Sequence, residues 1–271
     1  MTDLREHPCF TPEAHRRFGR LHVPCAARCN LDCAFCGRGL DGGEEKLPGR
    51  ALRLVRPEEA ADYVSERLAA RPEIRVLGIA GPGEPLYNPE TFSVLEILRR
   101  SFPDRVLCLG TNGSLLPEAA PRRREVGVSA VTVTVNTLRP EVSARLSPRR
   151  DGPEGTAGGE ALIAAQLEGI RRCSALGMTV KVNTVLVPGC NGEELPEIAR
   201  AVRARGAALQ NVMPLRPAGR LRQLTPPSPE TLAALREQLE HILPQMRVCA
   251  GCRADACGLL SGEDAPSGCV K

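Results

Sequence analysis

The run Cys29-Asn30-Leu31-Asp32-Cys33-Ala34-Phe35-Cys36 sets three thiols in one short loop, directly after the apolar stretch 21–25. A cubane [4Fe–4S] cluster that only carries electrons takes four protein thiolates. Three thiolates leave one iron with open coordination, the condition that separates a catalytic from a closed structural metal site. Zinc competes for the same residues, although zinc sites favour CxxC pairs with a fourth ligand close by. A chance grouping is the third reading of the loop alone.

The whole chain narrows the choice. Its 271 residues accommodate one α/β barrel or two small domains, and a single barrel is expected. Twelve cysteines would suit a disulfide scaffold in a short secreted chain. Residues 1–8 are polar, however, and no apolar run reaches membrane-spanning length. A soluble cytoplasmic protein with reduced or metal-bound thiols and no membrane partner is therefore expected. The formal charge is +4, and Lys46, Lys181 and Lys271 are the only lysines among 36 basic residues. That bias reads as a coding preference rather than a binding patch, and Arg122-Arg123-Arg124 reads as a solvated helix start. Two Tyr, five Phe and no Trp offer few stacking platforms, so nucleic acid is not expected as a partner.

Strands and helices alternate along the sequence. Apolar or β-branched strands are expected at 21–25, 74–80, 106–110, 130–135, 180–187 and 208–213, and helices at 57–70, 89–100, 117–125, 160–176, 194–205 and 230–243. Residues 37–56 read as a long loop and 147–159, rich in Pro, Gly and Arg, as a mobile one. Six βα units imply a parallel sheet with right-handed crossovers. They are too few for a closed eightfold barrel, so the fold class is α/β, a partial (β/α)6 TIM-type barrel. The boundaries expected are an N-terminal extension (1–20), the barrel (21–245) and a C-terminal CxxC segment (246–271).

In such barrels chemistry sits at the C-terminal ends of the strands, and the cysteine loop follows strand one. Gly81-Pro82-Gly83-Glu84-Pro85 follows strand two, where glycines let backbone approach a ligand and Glu84 can accept from an ammonium. Thr111 and Asn112 follow strand three, Asn136 follows strand four, and Val187 ends strand five at the same mouth. Each of these alone is commonly a turn residue.

The CxxxCxxC spacing, with Phe35 before the last cysteine, resembles the radical S-adenosylmethionine (SAM) enzymes. That resemblance implies that Cys29, Cys33 and Cys36 hold a [4Fe–4S] cluster whose open iron chelates SAM. One-electron transfer into the sulfonium then releases a 5′-deoxyadenosyl radical. Gly81, Gly83, Glu84, Thr111, Asn112 and Asn136 would line the SAM site, with Val187 against the adenine.

A closer resemblance covers residues 7–264. HPCFTPEAH (7–15), HVPCAARCNLDCAFC (22–36), VLGIAGPGEPLYNPE (76–90), LCLGTNGSLLPE (107–118), KVNTVLVPG (181–189), NVMPL (211–215) and CAGCRADACGLL (249–260) are similar to the NifB family of nitrogenase-cofactor maturases. The resemblance implies fusion of two [4Fe–4S] clusters, K1 and K2, into an eight-iron core around a carbide derived from a SAM methyl group. It implies Cys9, Cys249 and Cys252 as K2 ligands, His22 and Cys108 as K1 ligands, and Glu45 as the catalytic acidic residue. An iron–sulfur cluster donor, a nitrogenase cofactor scaffold or carrier, and ferredoxin or flavodoxin as electron donor are the implied partners.

Ordinary chemistry offers other roles. Buried cysteine is a common small hydrophobe, so Cys108 and Cys173 also read as core, His22 as a satisfied core histidine, and Cys249 with Cys252 as zinc ligands. Cys25, Cys190, Cys257 and Cys269 match no ligand of the family and read as packing. The sequence also departs from the family. Gly42 stands where a third K1 cysteine is expected, Leu47 where an arginine follows the acid, and Ser147-Pro148-Arg149-Arg150 where an aromatic and basic stretch lies. No NifX-like tail is expected. Two alternatives follow from these departures: a divergent radical SAM enzyme with an auxiliary cluster and another substrate, or a non-catalytic cluster carrier.

Overall fold

The computed structural model describes residues 6–41, 47–247, 249 and 251–259. Gly42, Glu45 and Cys269 lie outside them. Among the described residues, seven strands form a sheet in the order β8-β7-β6-β5-β4-β1-β9. These are β1 (Gly19–His22), β4 (Ile74–Ile79), β5 (Val106–Thr111), β6 (Val128–Thr134), β7 (Thr179–Leu186), β8 (Ala207–Pro214) and β9 (Cys257–Gly258). The first six run parallel, as the βα alternation requires. This is the expected partial (β/α)6 barrel, a curled sheet that stays open.

Period two explains its two faces. On β7, Val180 and Val182 point outward into the helix-covered core while Lys181, Asn183 and Val185 line the cavity. On β5, Leu107 and Leu109 point outward, and Cys108 and Gly110 inward. The outer face packs on α3 (Pro89–Ser101), α6 (Gly155–Ala175) and α7 (Leu195–Ala204) through Leu95, Leu98, Ile170, Ile198 and Val202. Each such side chain contributes about 1.5–3 kcal/mol by leaving water.

Four local outcomes differ from expectation. β9, unanticipated, pairs antiparallel with β1 through Arg20–Gly258 and Leu21–Cys257, which fastens the C-terminal segment beside the N-terminal one. The long loop after the cysteines carries a short parallel pair, β2 (Gly39–Leu40) and β3 (Arg50–Ala51). The stretch expected as a mobile loop contributes the start of α6 and follows another unanticipated helix, α5 (Pro140–Leu146). Gly159 serves close packing against α5, since a Cβ there would meet the Pro140 carbonyl oxygen at 2.0 Å. Arg122-Arg123-Arg124, finally, forms the last turn of α4 (Leu116–Glu125), where cations suit the helix dipole. Arg123 is fully buried rather than solvated.

Candidate active site

Sequence-separated residues converge on one cavity of about 350 Å3 enclosed by the curled sheet. Cys29, Cys33, Cys36, Cys9, Cys249, Cys252, His22, Cys108, Gly83, Glu84, Thr111, Asn112 and Asn136 all line it. Gly81 and Val187 do not. Gly81 sits behind the turn, its carbonyl accepting from Ala26 N–H (3.3 Å). Val187 is buried in a small apolar cluster with Val142, Leu146, Val185 and Leu215.

At the mouth, the cysteine loop is held mostly by backbone. Asp32 N–H donates to Pro148 O (2.9 Å), Ala34 N–H to Leu146 O (2.8 Å), Arg150 N–H to Asn30 O (2.9 Å) and Leu221 N–H to Ala34 O (3.1 Å). The Asp32 carboxylate accepts from Arg150 (2.9 Å) and Arg220 (2.5 Å), and these guanidinium partners hold its carboxyl below the usual range. The stretch Ser147–Arg150, which departs from the family pattern, thus forms part of the scaffold for the thiols.

The Gly83 turn abuts this loop from β4. Gly83 N–H donates to Ala26 O (2.6 Å) and Glu84 N–H to Arg28 O (2.9 Å). Asn88, just ahead of α3, clamps Arg28 through both its N–H (3.0 Å) and its carbonyl (2.8 Å). Glu84 is buried, and its two oxygens accept from Thr111 Oγ1 (2.5 Å), Asn112 N–H (2.6 Å) and Leu86 N–H (3.1 Å). The carboxylate therefore braces the end of β4 against the end of β5. Burial raises its pKa against the pull of these donors. Asn112 in turn donates to Asn30 in the cysteine loop (2.9 Å). Asn136 accepts from Val185 N–H (2.9 Å), linking β6 to β7.

Deeper in, His22 at the end of β1 holds its Nδ1 at 3.0 Å from Arg253 O, and burial lowers its pKa to about 4. Cys108 projects from the middle of β5, where burial pushes its thiol up to about 12. Cys9 comes from the segment before α1 (Pro12–Arg17), a helix capped by Thr11 (Oγ1 to Ala14 N–H, 3.1 Å). Cys249 and Cys252 arrive on the segment that ends in β9. Burial raises the Cys9 thiol, and Cys252 and Cys249 are close enough to raise it further.

The donor set suits an iron–sulfur group. Cys29, Cys33 and Cys36 face the same space on a fixed loop. Burial raises Cys29 and pushes Cys33 up to about 12, so the neutral thiol prevails until metal displaces its proton. Among the described residues no three His, Cys, Asp or Glu side chains are gathered to hold a single metal ion; thiolates of a cubane bind different irons. Cys25, whose Sγ lies 3.9 Å from Thr91 Oγ1, is buried outside the cavity. Cys190 packs against the Val187 cluster, Cys173 is buried in α6 and Cys257 in β9.

Several cavity residues escaped the sequence reading: His7, Arg20 and Lys181 deep inside, and Gln166, which donates to the carbonyls of Asn112 (2.9 Å) and Thr134 (2.8 Å). Lys181 carried one usable signal, a lysine on a strand of a chain that otherwise uses arginine.

Residues 23–202 match the radical SAM superfamily. The chain is 46% identical over 272 residues to the FeMo cofactor biosynthesis protein NifB of Klebsiella pneumoniae, covering 95% of this chain and 57% of that protein. It is 38% identical over 266 residues to the protein of the same name from Methanocaldococcus infernus, covering 96% and 88%. The chain therefore spans little more than half of the first relative and most of the second. Among solved structures, Streptococcus suis SuiB shares the fold with a TM-score of 0.63 at 13% identity, over 84% of this chain and 49% of that one.

Proposed function

Because the chain belongs to the radical SAM superfamily and, within it, to the NifB family of FeMo cofactor biosynthesis proteins, we propose that it builds the nitrogenase cofactor precursor from iron–sulfur clusters by radical chemistry at the mouth of its cavity. The observation that carries this reading is that the three thiols of residues 29–36 and the separate set Cys9, Cys249, Cys252, His22 and Cys108 open onto one enclosed space. A SAM-cleaving site and a site for inorganic substrate are thereby within reach of each other.

Cys29, Cys33 and Cys36 would bind the resident [4Fe–4S] cofactor, which with chelated SAM supplies a 5′-deoxyadenosyl radical when bound. The loop's hydrogen bonds to Pro148, Leu146 and Leu221 fix the three thiols, so little reorganisation accompanies loading. Glu84 positions Thr111 and Asn112 at the mouth, where it would face a ligand ammonium. Gly83 keeps the turn close to Arg28, and Asn136 fixes the β6–β7 edge. The apolar lining formed by Leu31, Phe35, Leu146 and Leu162 limits water around reacting groups.

The substrates on this reading are two [4Fe–4S] clusters, one on Cys9, Cys249 and Cys252 and the other on His22 and Cys108. They fuse around a carbide whose carbon comes from a SAM methyl group. Glu45 is the catalytic acidic residue on this reading. Residues 1–20 and 246–271 serve as extensions that carry substrate ligands to the barrel of 21–245. A cluster donor, a cofactor scaffold or carrier, and ferredoxin or flavodoxin are the partners, in the cytoplasm. Among the described residues no helix is long and apolar enough to cross a membrane.

A divergent enzyme that uses one auxiliary cluster on another substrate is the second reading, favoured by Gly42 at the third K1 position. Anaerobic assay separates the possibilities. Cys29→Ala, Cys33→Ala or Cys36→Ala should abolish 5′-deoxyadenosine formation while Cys173→Ala retains it, and retained product in the first three refutes the site. Formation of an eight-iron product supports cofactor assembly; SAM cleavage without one supports the second reading.

A further inference from the structure

The deep end of the cavity is unusual in its charge. Lys181 is buried, and among the described residues its Nζ contacts are soft ones, Met246 Sδ at 3.9 Å and the Phe10 ring centroid at 6.0 Å. Lys181 lines the same cavity as Cys9, Cys249, Cys252 and Cys108. Arg20, also buried, donates to Cys252 Sγ at 3.2 Å and to the carbonyl of Gly258 at 2.6 Å. Glu84 is the only carboxylate among the described residues lining the cavity, and it sits at the mouth.

His7 adds a directed donor. It is 2% exposed, and its Nδ1 accepts the Cys9 backbone N–H at 3.2 Å. In the neutral ring this leaves the proton on Nε2. Among the described residues Nε2 is buried at the cavity with no hydrogen-bond partner, while the Phe10 ring holds the imidazole edge-on at 4.7 Å. An unpaired buried N–H and a buried ammonium without a carboxylate are each costly. Both are satisfied at once by an anion rich in acceptors, and protonated thiols are not one.

We propose that Lys181 and His7 are positioning residues that hydrogen-bond the sulfides of the bound cluster substrates, with Lys181 the cation shared between the Cys9–Cys249–Cys252 set and the Cys108 set. This rests on the proposed reading of those sets as cluster sites. A shared cation offsets the repulsion between two anionic clusters brought side by side, a condition their fusion requires. It also favours the reduced, more negative state of each cluster.

The test is an EPR-monitored redox titration of anaerobically loaded full-length protein, with iron and sulfide counted per chain. Lys181→Met should shift the auxiliary signals to lower potential by about tenfold in the reduction equilibrium, ~59 mV for a one-electron couple, and should lose auxiliary iron on gel filtration. Lys181→Arg should keep both near wild type. His7→Phe should shift the potential in the same direction by less. The signal of the cluster on Cys29, Cys33 and Cys36 should not move in any variant, a selectivity that general loosening of the fold would not give. Should Lys181→Met fail to fold, Lys181→Arg and His7→Phe still decide. Auxiliary clusters present in wild type with unchanged potential and iron in Lys181→Met, or in His7→Phe if Lys181→Met does not fold, overturn the inference and leave the proposed function standing. A wild-type protein that takes up only one cubane overturns the reading of the auxiliary sites and this inference with it.

Discussion

Replacing Gly83 by alanine isolates the contact between the β4 turn and the cysteine loop. A Cβ at this position would stand 2.2 Å from the Arg28 carbonyl oxygen and 2.6 Å from its carbonyl carbon. Real Cβ contacts essentially begin at 3.0 Å, so the Arg28 carbonyl must retreat by about 0.8 Å, a shift typical of overpacked sites. Arg28 cannot move alone. Asn88 clamps it from below, and Cys29 is the next residue. Overpacking of this kind costs about 1–3 kcal/mol, offset by a few tenths from the stiffer unfolded chain. A chain of this size loses about 2–4 °C in Tm per kcal/mol, so Gly83→Ala should melt about 1–10 °C lower. Its first thiol would be displaced by nearly 1 Å, and a misplacement of that order costs about 100-fold in rate. Gly192→Ala is the control: its Cβ would touch only Leu186 Cδ1, at 3.5 Å. Differential scanning fluorimetry and 5′-deoxyadenosine yield under reductant read both effects. Wild-type melting and wild-type yield in Gly83→Ala would refute the claim that this close approach sets the loop's position.

Arg123 is fully buried, among the described residues its Nε, Nη1 and Nη2 have no hydrogen-bond partner, and burial lowers its pKa to about 10 against the pull of Cys173 and Glu84. Arg123→Met should raise Tm by several degrees, since an apolar side chain removes three buried donors without hydrogen bonds; a lower Tm means that the guanidinium stabilises the buried Glu84 carboxylate. Acid should destabilise the metal-free protein. Burial lowers the pKa values of His7, His15 and His22, so the unfolded chain binds more protons below pH 6.5, and stability is full above that value and declines beneath it. His22 alone, lowered from 6.5 to about 4, removes about 2 kcal/mol by pH 5. Urea melts at pH 7.5 and 5 check this, and equal midpoints contradict it. Gly42→Cys should raise bound iron by about four atoms per chain if the His22–Cys108 site lacks only a thiolate, and unchanged iron and SAM turnover speak for an enzyme that does not use that site.

The fold was legible because its evidence is periodic. VTVTV (131–135) and the other five runs announced parallel strands, and the intervening amphipathic stretches announced helices. The mouth was legible for a related reason: in a βα fold, residues just past each strand share one rim, so Cys29, Glu84, Asn112 and Asn136 could be grouped without coordinates. What failed depended on tertiary contact. β9 is two residues long and exists only because β1 offers an edge. The glycines of 155–159 signal a loop by propensity, yet they start a helix, and at Gly159 α5 packs too close for a side chain. Val187 belongs to a strand end but turns into an apolar cluster instead of the cavity. Lys181 and Arg20 were missed because a polar residue on an inward strand face looks, in sequence, like one facing solvent, and His7 because it lies in an irregular segment before the first strand, where no periodicity assigns a face. Only the curl of the sheet shows that both faces are buried.

The central claim is that one cavity holds a SAM-cleaving cluster and further iron–sulfur substrate together. Its most direct test is Mössbauer spectroscopy of 57Fe-loaded protein, with acid-labile sulfide and zinc measured on the same anaerobic sample. More than one cubane of iron and matching sulfide per chain is expected, with one subspectrum changing when SAM is added and another disappearing in Cys249→Ala with Cys252→Ala. Zinc without labile sulfide, or a single cubane indifferent to both perturbations, would contradict it.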